Sequence, residues 1–337
     1  MSTSLEQRCR ELVVELKLGL ADNVKTVVPL TGGVASDIAR VDLEGRNICV
    51  KFALEQLRVA EEWHVPVRRN RAEYEWLQVA NSVMPDGAIA LYGRSDTLHG
   101  FAMEFVEGQD VFLWKDRLLA GQGLNGEAAS VGEVLGRIHS ATSKPDFDRG
   151  PFANHDDFRA IRIEPYLTFT ASRRPEVSDR IVKLAENLYS SDQVLVHGDA
   201  SPKNIIFRNG FPIVLDAECA TMGDASFDTS FCINHLILKA VHLPHSRNDL
   251  LLAVGRLWAS YVQHVDWEPV GDLETRVCAL LPALMLARVD GKSPIEYLGD
   301  EERQWVRQIA IALIQAPTRS LSAFVKQIAN KLEENQK

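Results

Sequence analysis

Two short apolar runs in the second half of the chain, Val194–Val196 and residues 211–215, each end in acidic chemistry. The first opens into His197-Gly198-Asp199, with Asn204 five residues beyond the aspartate. The second ends at Asp216, and Glu218 follows two residues later. An amide and three carboxylates gathered at strand ends are hard oxygen donors. Magnesium takes such donors, usually one or two carboxylates together with phosphate and water. The pattern therefore predicts a magnesium–nucleotide site, whose nucleotide-holding part must lie upstream.

The upstream segment TGGVASDIARVDLEGRNICVKFA reads as a β-hairpin. Ile38, Val41 and Leu43 suggest one strand, Glu44-Gly45 a turn, and Ile48, Val50 and Phe52 the alternating return strand. Gly32-Gly33 precedes the hairpin, and Lys51 lies near the end of its last strand. A glycine pair lets backbone N–H groups approach phosphate, because no side chain intervenes. A strand lysine two strands after a glycine turn matches the arrangement with which protein kinases hold the α- and β-phosphates. That arrangement needs a glutamate on the next helix to orient the lysine. The helix expected over 69–79 carries Glu73 and Glu75, which point in different directions, so one of them faces Lys51. Residues 26–30 lead into the hairpin as a first strand, and strands over 88–92 and 101–106 complete a five-stranded lobe.

Helices must carry the rest. At the N-terminus, Leu5, Cys9, Leu12, Val13 and Leu16 fall on one side of an amphipathic helix. Residues 112–120 and 127–140 read as helices, with His139 closing the second as a C-terminal cap. Pro165 reads as a break in the segment 156–172, and 178–188 is a further amphipathic helix. Residues 231–241 are apolar enough for a core helix, and four more helices follow over 249–265, 273–289, 301–316 and 320–333. The fold class is α+β: a small mainly-β lobe over 1–106 that binds nucleotide, then a larger mainly-α lobe over 107–337 for catalysis and substrate.

Composition sets the outer limits. The 337 residues are 46% apolar and 25% charged, with a formal charge of −9. Nucleic-acid binding needs a clustered basic surface, and none is present. No apolar stretch approaches the roughly 20 residues of a membrane helix. The five cysteines are scattered without a CxxC pair, which argues against structural zinc and a disulfide framework. The expected location is the cytoplasm.

The order glycine turn, strand lysine, helix glutamate, connector, HGDxxxxN and D-x-E resembles the aminoglycoside phosphotransferase–choline kinase branch of the protein-kinase-like fold. Two passages, residues 50–77 and 216–228, are most similar to the methylthioribose kinases within it, the first through an insert bearing Trp63. The resemblance implies a bilobal fold, ATP and Mg2+ as cofactors, and a hydroxyl of a small metabolite as acceptor: a methylthioribose-like pentose, an amino sugar or an amino alcohol. Asp199 would be the catalytic base; Asn204, Asp216 and Glu218 would hold the metal. Lys51 would contact the phosphates with Glu73 as its partner, by spacing from Trp63. Gly32, Gly33 and Ser36 would lie over the phosphates, and Glu104 and Val106 would offer backbone groups to adenine. Asp228 would brace the catalytic loop by accepting backbone N–H bonds.

Around Asp199 this chain departs from the family pattern: Ala200-Ser201-Pro202-Lys203 stands where Leu-His-Pro-Gly is common. Lys203 either adds positive charge near the γ-phosphate or faces solvent. Arg159, Arg162, Tyr166, His235, Lys239 and Arg288 are candidates for a substrate pocket, since arginines suit a carboxylate or several hydroxyls. Two alternatives remain. A metal-dependent phosphoesterase predicts further histidine ligands, and His235, His242 and His245 lie in the wrong context for them. A nucleotide-binding pseudokinase predicts missing catalytic residues, yet Lys51, Asp199, Asn204, Asp216 and Glu218 are all present.

Overall fold

The computed structural model describes residues 4–30, 35–56, 66–122 and 124–334. It divides into two compact units, Met1–Val111 and Phe112–Lys337.

In the first unit, helix α1 (Leu5–Glu15) starts at Ser4, whose hydroxyl accepts the backbone N–H of Gln7. Strands β1 (Thr26–Pro29), β2 (Ser36–Leu43), β3 (Arg46–Ala53), β4 (Leu91–Ser95) and β5 (Gly100–Glu104) form an antiparallel sheet in the order β1-β2-β3-β5-β4. Side chains alternate across a strand. Ala39, Val41, Leu43, Ile48, Val50 and Phe52 accordingly share one face, where they pack with Cys9, Leu12 and Val13 of α1. Burying each such Val or Leu stabilises the fold by about 1.5–3 kcal/mol. The same alternation turns Lys51 to the opposite face, toward helix α2 (Arg69–Val83). Strand β4 starts later and runs further than the expected 88–92, with a register shift between Leu91 and Gly93 and pairing that continues to Ser95.

The second unit opens with a strand where a helix is expected. Strand β6 (Val111–Leu113) precedes helix α3 (Trp114–Leu119) and joins β8 (Ile205–Arg208) and β9 (Phe211–Val214) in the sheet β6-β8-β9. Phe112 stacks on Phe207 at 5.2 Å between ring centroids. β8 and β9 are joined by Asn209-Gly210, both at positive φ, a tight hairpin turn whose sequence is its own signal. Strands β7 (Val194–Val196) and β10 (Thr221–Gly223) form a second small sheet.

Helix α4 (Glu127–Thr142) is followed by a helical run through α5 (His155–Phe158), a π-helical segment Arg159–Thr168 and α6 (Phe169–Arg173). Pro165 therefore lies inside helical structure and does not break it. The wider turn removes the clash that proline makes with the carbonyl four residues back in an α-helix. Helices α7 (Ser178–Ser190), α8 (Ser226–His242), α9 (Arg247–Tyr261), α10 (Val270–Asp290), α11 (Asp300–Gln315) and α12 (Leu321–Glu334) complete the unit. Every residue of α8 from Ser226 to Val241 is buried. Helix α4 meets α9 so closely that a Cβ on Gly132 would lie 2.2 Å from the carbonyl oxygen of Leu257. No helix among the described residues is long and apolar enough to cross a membrane.

Candidate active site

In the first unit, Lys51 Nζ meets both carboxylate oxygens of Glu73, at 2.8 and 2.7 Å, with both side chains buried. Glu75 instead points toward Arg71, 3.8 Å away. Ser36 is buried on β2 and shares the Lys51 face of the sheet, since Ile38 pairs with Lys51 and Ser36 with Ala53. Glu104 ends β5 and accepts the backbone N–H of Ala90 at 3.1 Å; Val106 follows it in the connector. Gly32, Gly33 and Trp63 lie outside the described residues.

In the second unit, β7 delivers His197-Gly198-Asp199 beside the segment that follows Asp216. Gly198 has φ +79°, and a Cβ there would come within 2.8 Å of Cys219 Cβ, so the turn requires glycine on two counts. Asp228, in the first turn of α8, accepts the backbone N–H of His197 at 2.6 Å and of Gly198 at 2.9 Å. The bracing expected of Asp228 is thus present in the geometry. His139 is not a cap: it is fully buried, 2.8 Å from the Tyr261 hydroxyl and 3.3 Å from Asp228 Oδ2. Its position at the end of α4 suggested a helix-terminal role, but a partner far along the chain determines its environment.

His197 is also structural. Its Nδ1 accepts the backbone N–H of Asp199 at 3.1 Å while Nε2 donates to the Leu215 carbonyl at 3.0 Å, which assigns the neutral Nε2–H tautomer. Burial holds its pKa below the ordinary value, in keeping with that neutral form. The ring thereby ties the end of β7 to the end of β9.

Asp199 is the focus of charge. Its Oδ2 lies 3.0 Å from Arg162 Nη2 and 3.0 Å from Lys203 Nζ, while the buried Oδ1 has no hydrogen-bond partner among the described residues. Burial pushes the carboxyl up, and the Arg162 and Lys203 cations more than offset this, leaving it below the ordinary aspartate value. Arg162 also donates to the Gly198 and Ile161 carbonyls. Rather than lining open space, Arg162 grips the loop that carries Asp199.

Asn204 closes the short turn Pro202–Asn204 and donates its side-chain N–H to the Asp199 carbonyl at 3.0 Å. The side-chain oxygen of Asn204 receives no hydrogen bond among the described residues. Asp216 has φ +70°, a backbone conformation rare outside glycine, and its charge acts on Asp199. Glu218 is buried nearby, and its charge acts on Arg162. These donors are all oxygens, the set that suits magnesium. Among the described residues no group of three or more His, Cys, Asp or Glu side chains is arranged to hold a metal ion by itself. A one- or two-carboxylate site completed by phosphate oxygens asks for no such group.

The remaining candidates separate. Arg159 lies apart: its side chain is half exposed, 3.2 Å from Glu164 and stacked on Tyr189. Tyr166, His235, Lys239 and Arg288 are buried together around the inner ends of α8 and α10, with Arg288 Nη1 donating to the Tyr166 hydroxyl at 3.1 Å. Tyr297, which no sequence pattern singled out, joins them through its ring 5.2 Å from Lys239 Nζ.

The phosphotransferase enzyme family matches residues 26–261. A methylthioribose kinase from Cronobacter sakazakii is 24% identical over 271 residues, covering 69% of this chain and 66% of its own length. One from Bacillus cereus is 24% identical over 259 residues, covering 67% and 64%. The chain therefore spans slightly less than two thirds of these curated relatives. Among solved structures, a choline/ethanolamine kinase family protein from Mesorhizobium loti superposes with TM-score 0.53 at 14% identity, covering 95% of this chain and 99% of that one. It shares the α+β fold. With a strand lysine on a helix glutamate, a braced HGD turn and a family match over most of its length, this chain belongs to the phosphotransferase enzyme family.

Proposed function

We propose that the protein is an ATP- and magnesium-dependent kinase that phosphorylates a hydroxyl of a small metabolite. The observation that carries this reading is Asp199: a buried, ionised carboxylate with one oxygen gripped by two cations and the other without a partner among the described residues. Oδ1 is an acceptor for the proton of an incoming hydroxyl. A carboxylate of low basicity suffices, because phosphoryl transfer passes through a loose transition state in which positioning outweighs base strength.

Each remaining residue has a defined part. Asn204, through its side-chain oxygen, and Asp216 and Glu218, through their carboxylates, hold the metal. Lys51, oriented by Glu73, contacts the α- and β-phosphates, with Gly32, Gly33 and Ser36 beside them and the backbone of Glu104 and Val106 reading adenine. Magnesium–ATP, when bound, supplies the transferable phosphoryl group and neutralises charge on its oxygens. Asp228 and His197 keep the Asp199 loop in one geometry, and Arg162 keeps Asp199 ionised. The test is ADP release with Asp199→Asn. Turnover should fall by roughly 10²–10⁴-fold while ATP affinity by calorimetry stays within a few-fold of wild type; full turnover in that variant rejects the base assignment.

A further inference from the structure

In the second unit three buried basic side chains cluster without an ion pair to a carboxylate among the described residues. His235 and Lys239 lie one turn apart on α8 and Arg288 lies on α10; they are 5%, 1% and 8% exposed. Among the described residues, Lys239 Nζ has neither a hydrogen bond nor an ion pair and rests over the Tyr297 ring. Arg288 commits Nη1 to the Tyr166 hydroxyl and to Ser293, whose carbonyl is 2.6 Å away and hydroxyl 3.1 Å. Its buried Nε has no partner, and its Nη2 donates to nothing among the described residues. The buried Tyr297 hydroxyl likewise has no partner among the described residues. Glu296, a carboxylate whose charge reaches Lys239, already pairs with Lys115 at 2.7 Å.

Buried cations without a counter-charge are strongly disfavoured in a folded chain. They persist where a ligand brings the missing charge. The unused Nε–Nη2 edge of Arg288 offers two parallel donors, the geometry that matches an oxyanion bidentately. We infer that the acceptor is a small hydroxylated acid, its carboxylate or phosphate held by the Nε–Nη2 edge of Arg288 and the Lys239 ammonium beside the Tyr297 hydroxyl. This rests on the kinase reading above and names its substrate class. Tyr166 connects the anion subsite to the base: its ring centroid is 6.0 Å from the Arg162 guanidinium carbon, and Arg162 pairs with Asp199. A compact acid with its hydroxyl a few carbons from the charge suits that arrangement.

Lys239 adds a second readout. Burial, then Lys115 on α3, bring its pKa down to about 7; Cys232 on its own helix opposes them, Arg288 on α10 adds a smaller downward push, and Glu296 after α10 a smaller opposing one. His235, four residues back on α8, is kept neutral by burial and by the same cations. An anion arriving beside Lys239 favours its protonated form, so binding draws in a proton near neutral pH.

The full chain with magnesium and ATP is screened by ADP release against matched pairs: hydroxy acids, sugar acids and sugar phosphates, each beside its amide or its unphosphorylated parent. The acid of at least one pair should exceed its neutral partner at least tenfold in kcat/KM, the carboxylate and phosphate arms distinguishing the two oxyanions. Lys239→Met and Arg288→Gln should each raise KM for that acid at least tenfold with a smaller change in kcat. Lys239→Met loses no hydrogen bond and removes a buried charge, so its melting temperature should hold or rise, which separates lost recognition from lost folding. Calorimetry of the same acids without nucleotide, in buffers of different ionisation enthalpy, should show proton uptake in wild type and none in Lys239→Met. Equal binding by wild type and Lys239→Met overturns the subsite. Turnover of neutral or cationic acceptors alone overturns it as well, and leaves the kinase reading standing. Failure to bind magnesium–ATP overturns the kinase reading itself, while the nucleotide-free titrations still decide the subsite.

Discussion

Arg162 places Nη2 3.0 Å from Oδ2 of Asp199, and so determines which carboxylate oxygen remains available. It reaches the loop from the π-helical segment that accommodates Pro165, and the same guanidinium also holds the Gly198 carbonyl. Two contacts from one side chain thus fix both the charge and the orientation of the proposed base.

This pairing predicts a pH effect of definite sign. Burial alone would raise the Asp199 pKa, and Arg162 is the larger of the two cations that reverse it. Arg162→Met should therefore shift the acid limb of the kcat/KM profile upward by about one pH unit or more, leaving the alkaline limb in place. An unmoved acid limb would show that another group titrates there.

Asp228 is a stability residue with a catalytic consequence. Its fully buried carboxylate satisfies two backbone donors and faces His139. Asp228→Ala should destabilise the protein by about 3 kcal/mol, in the range for removing one partner of a buried pair, as measured by urea unfolding. Although burial pushes its pKa up, the His139 hydrogen bond and charge hold it below the ordinary value. The stability it confers is present above the unfolded-state pKa of about 4 and disappears as pH falls through the depressed folded value. The variant should accordingly lose part of the wild-type acid dependence.

The Lys51–Glu73 pair is buried on both sides. Glu73→Gln removes the carboxylate charge that orients the lysine. Nucleotide affinity by calorimetry should fall about tenfold, equivalent to roughly 1.4 kcal/mol, whereas Glu75→Gln should change it by less than twofold. Equal effects from the two substitutions would remove Glu73 from its orienting role.

Helix packing offers a test remote from any ligand. At Gly132 an added methyl would intrude on the α9 backbone at Leu257. Gly132→Ala should cost about 1–3 kcal/mol, the usual penalty of overpacking, visible as a lowered melting temperature. Gly255→Ala, with open space around it, should not.

Periodic elements were legible in the sequence; contacts distant along the chain were not. The hairpin of β2 and β3 and the helices α1, α8 and α10 follow from apolar spacing. Strands β6 and β10 are three residues each, too short to show a period, and β8 was missed although Asn209-Gly210 marks its turn. Pro165 suggested a break because proline is excluded from α-helices, a rule that the π-helical turn relaxes. Helical periodicity left Glu73 and Glu75 open, and the spacing from Trp63 within the family resemblance pointed to Glu73, which meets Lys51. Arg162 and His139 were both misread, as pocket lining and as a helix cap, because their partners Asp199 and Asp228 lie far along the chain and nothing local marks the pairing.

The Asp228 brace also has a temporal consequence. The HGD turn is held by a carboxylate some thirty residues later, at the start of the most buried helix. Contacts that close long segments form only after the chain ordering between them has been accomplished. During folding from denaturant, the helical signal should thus return before the loop acquires its working shape, so that recovered catalytic competence marks the docking of α8.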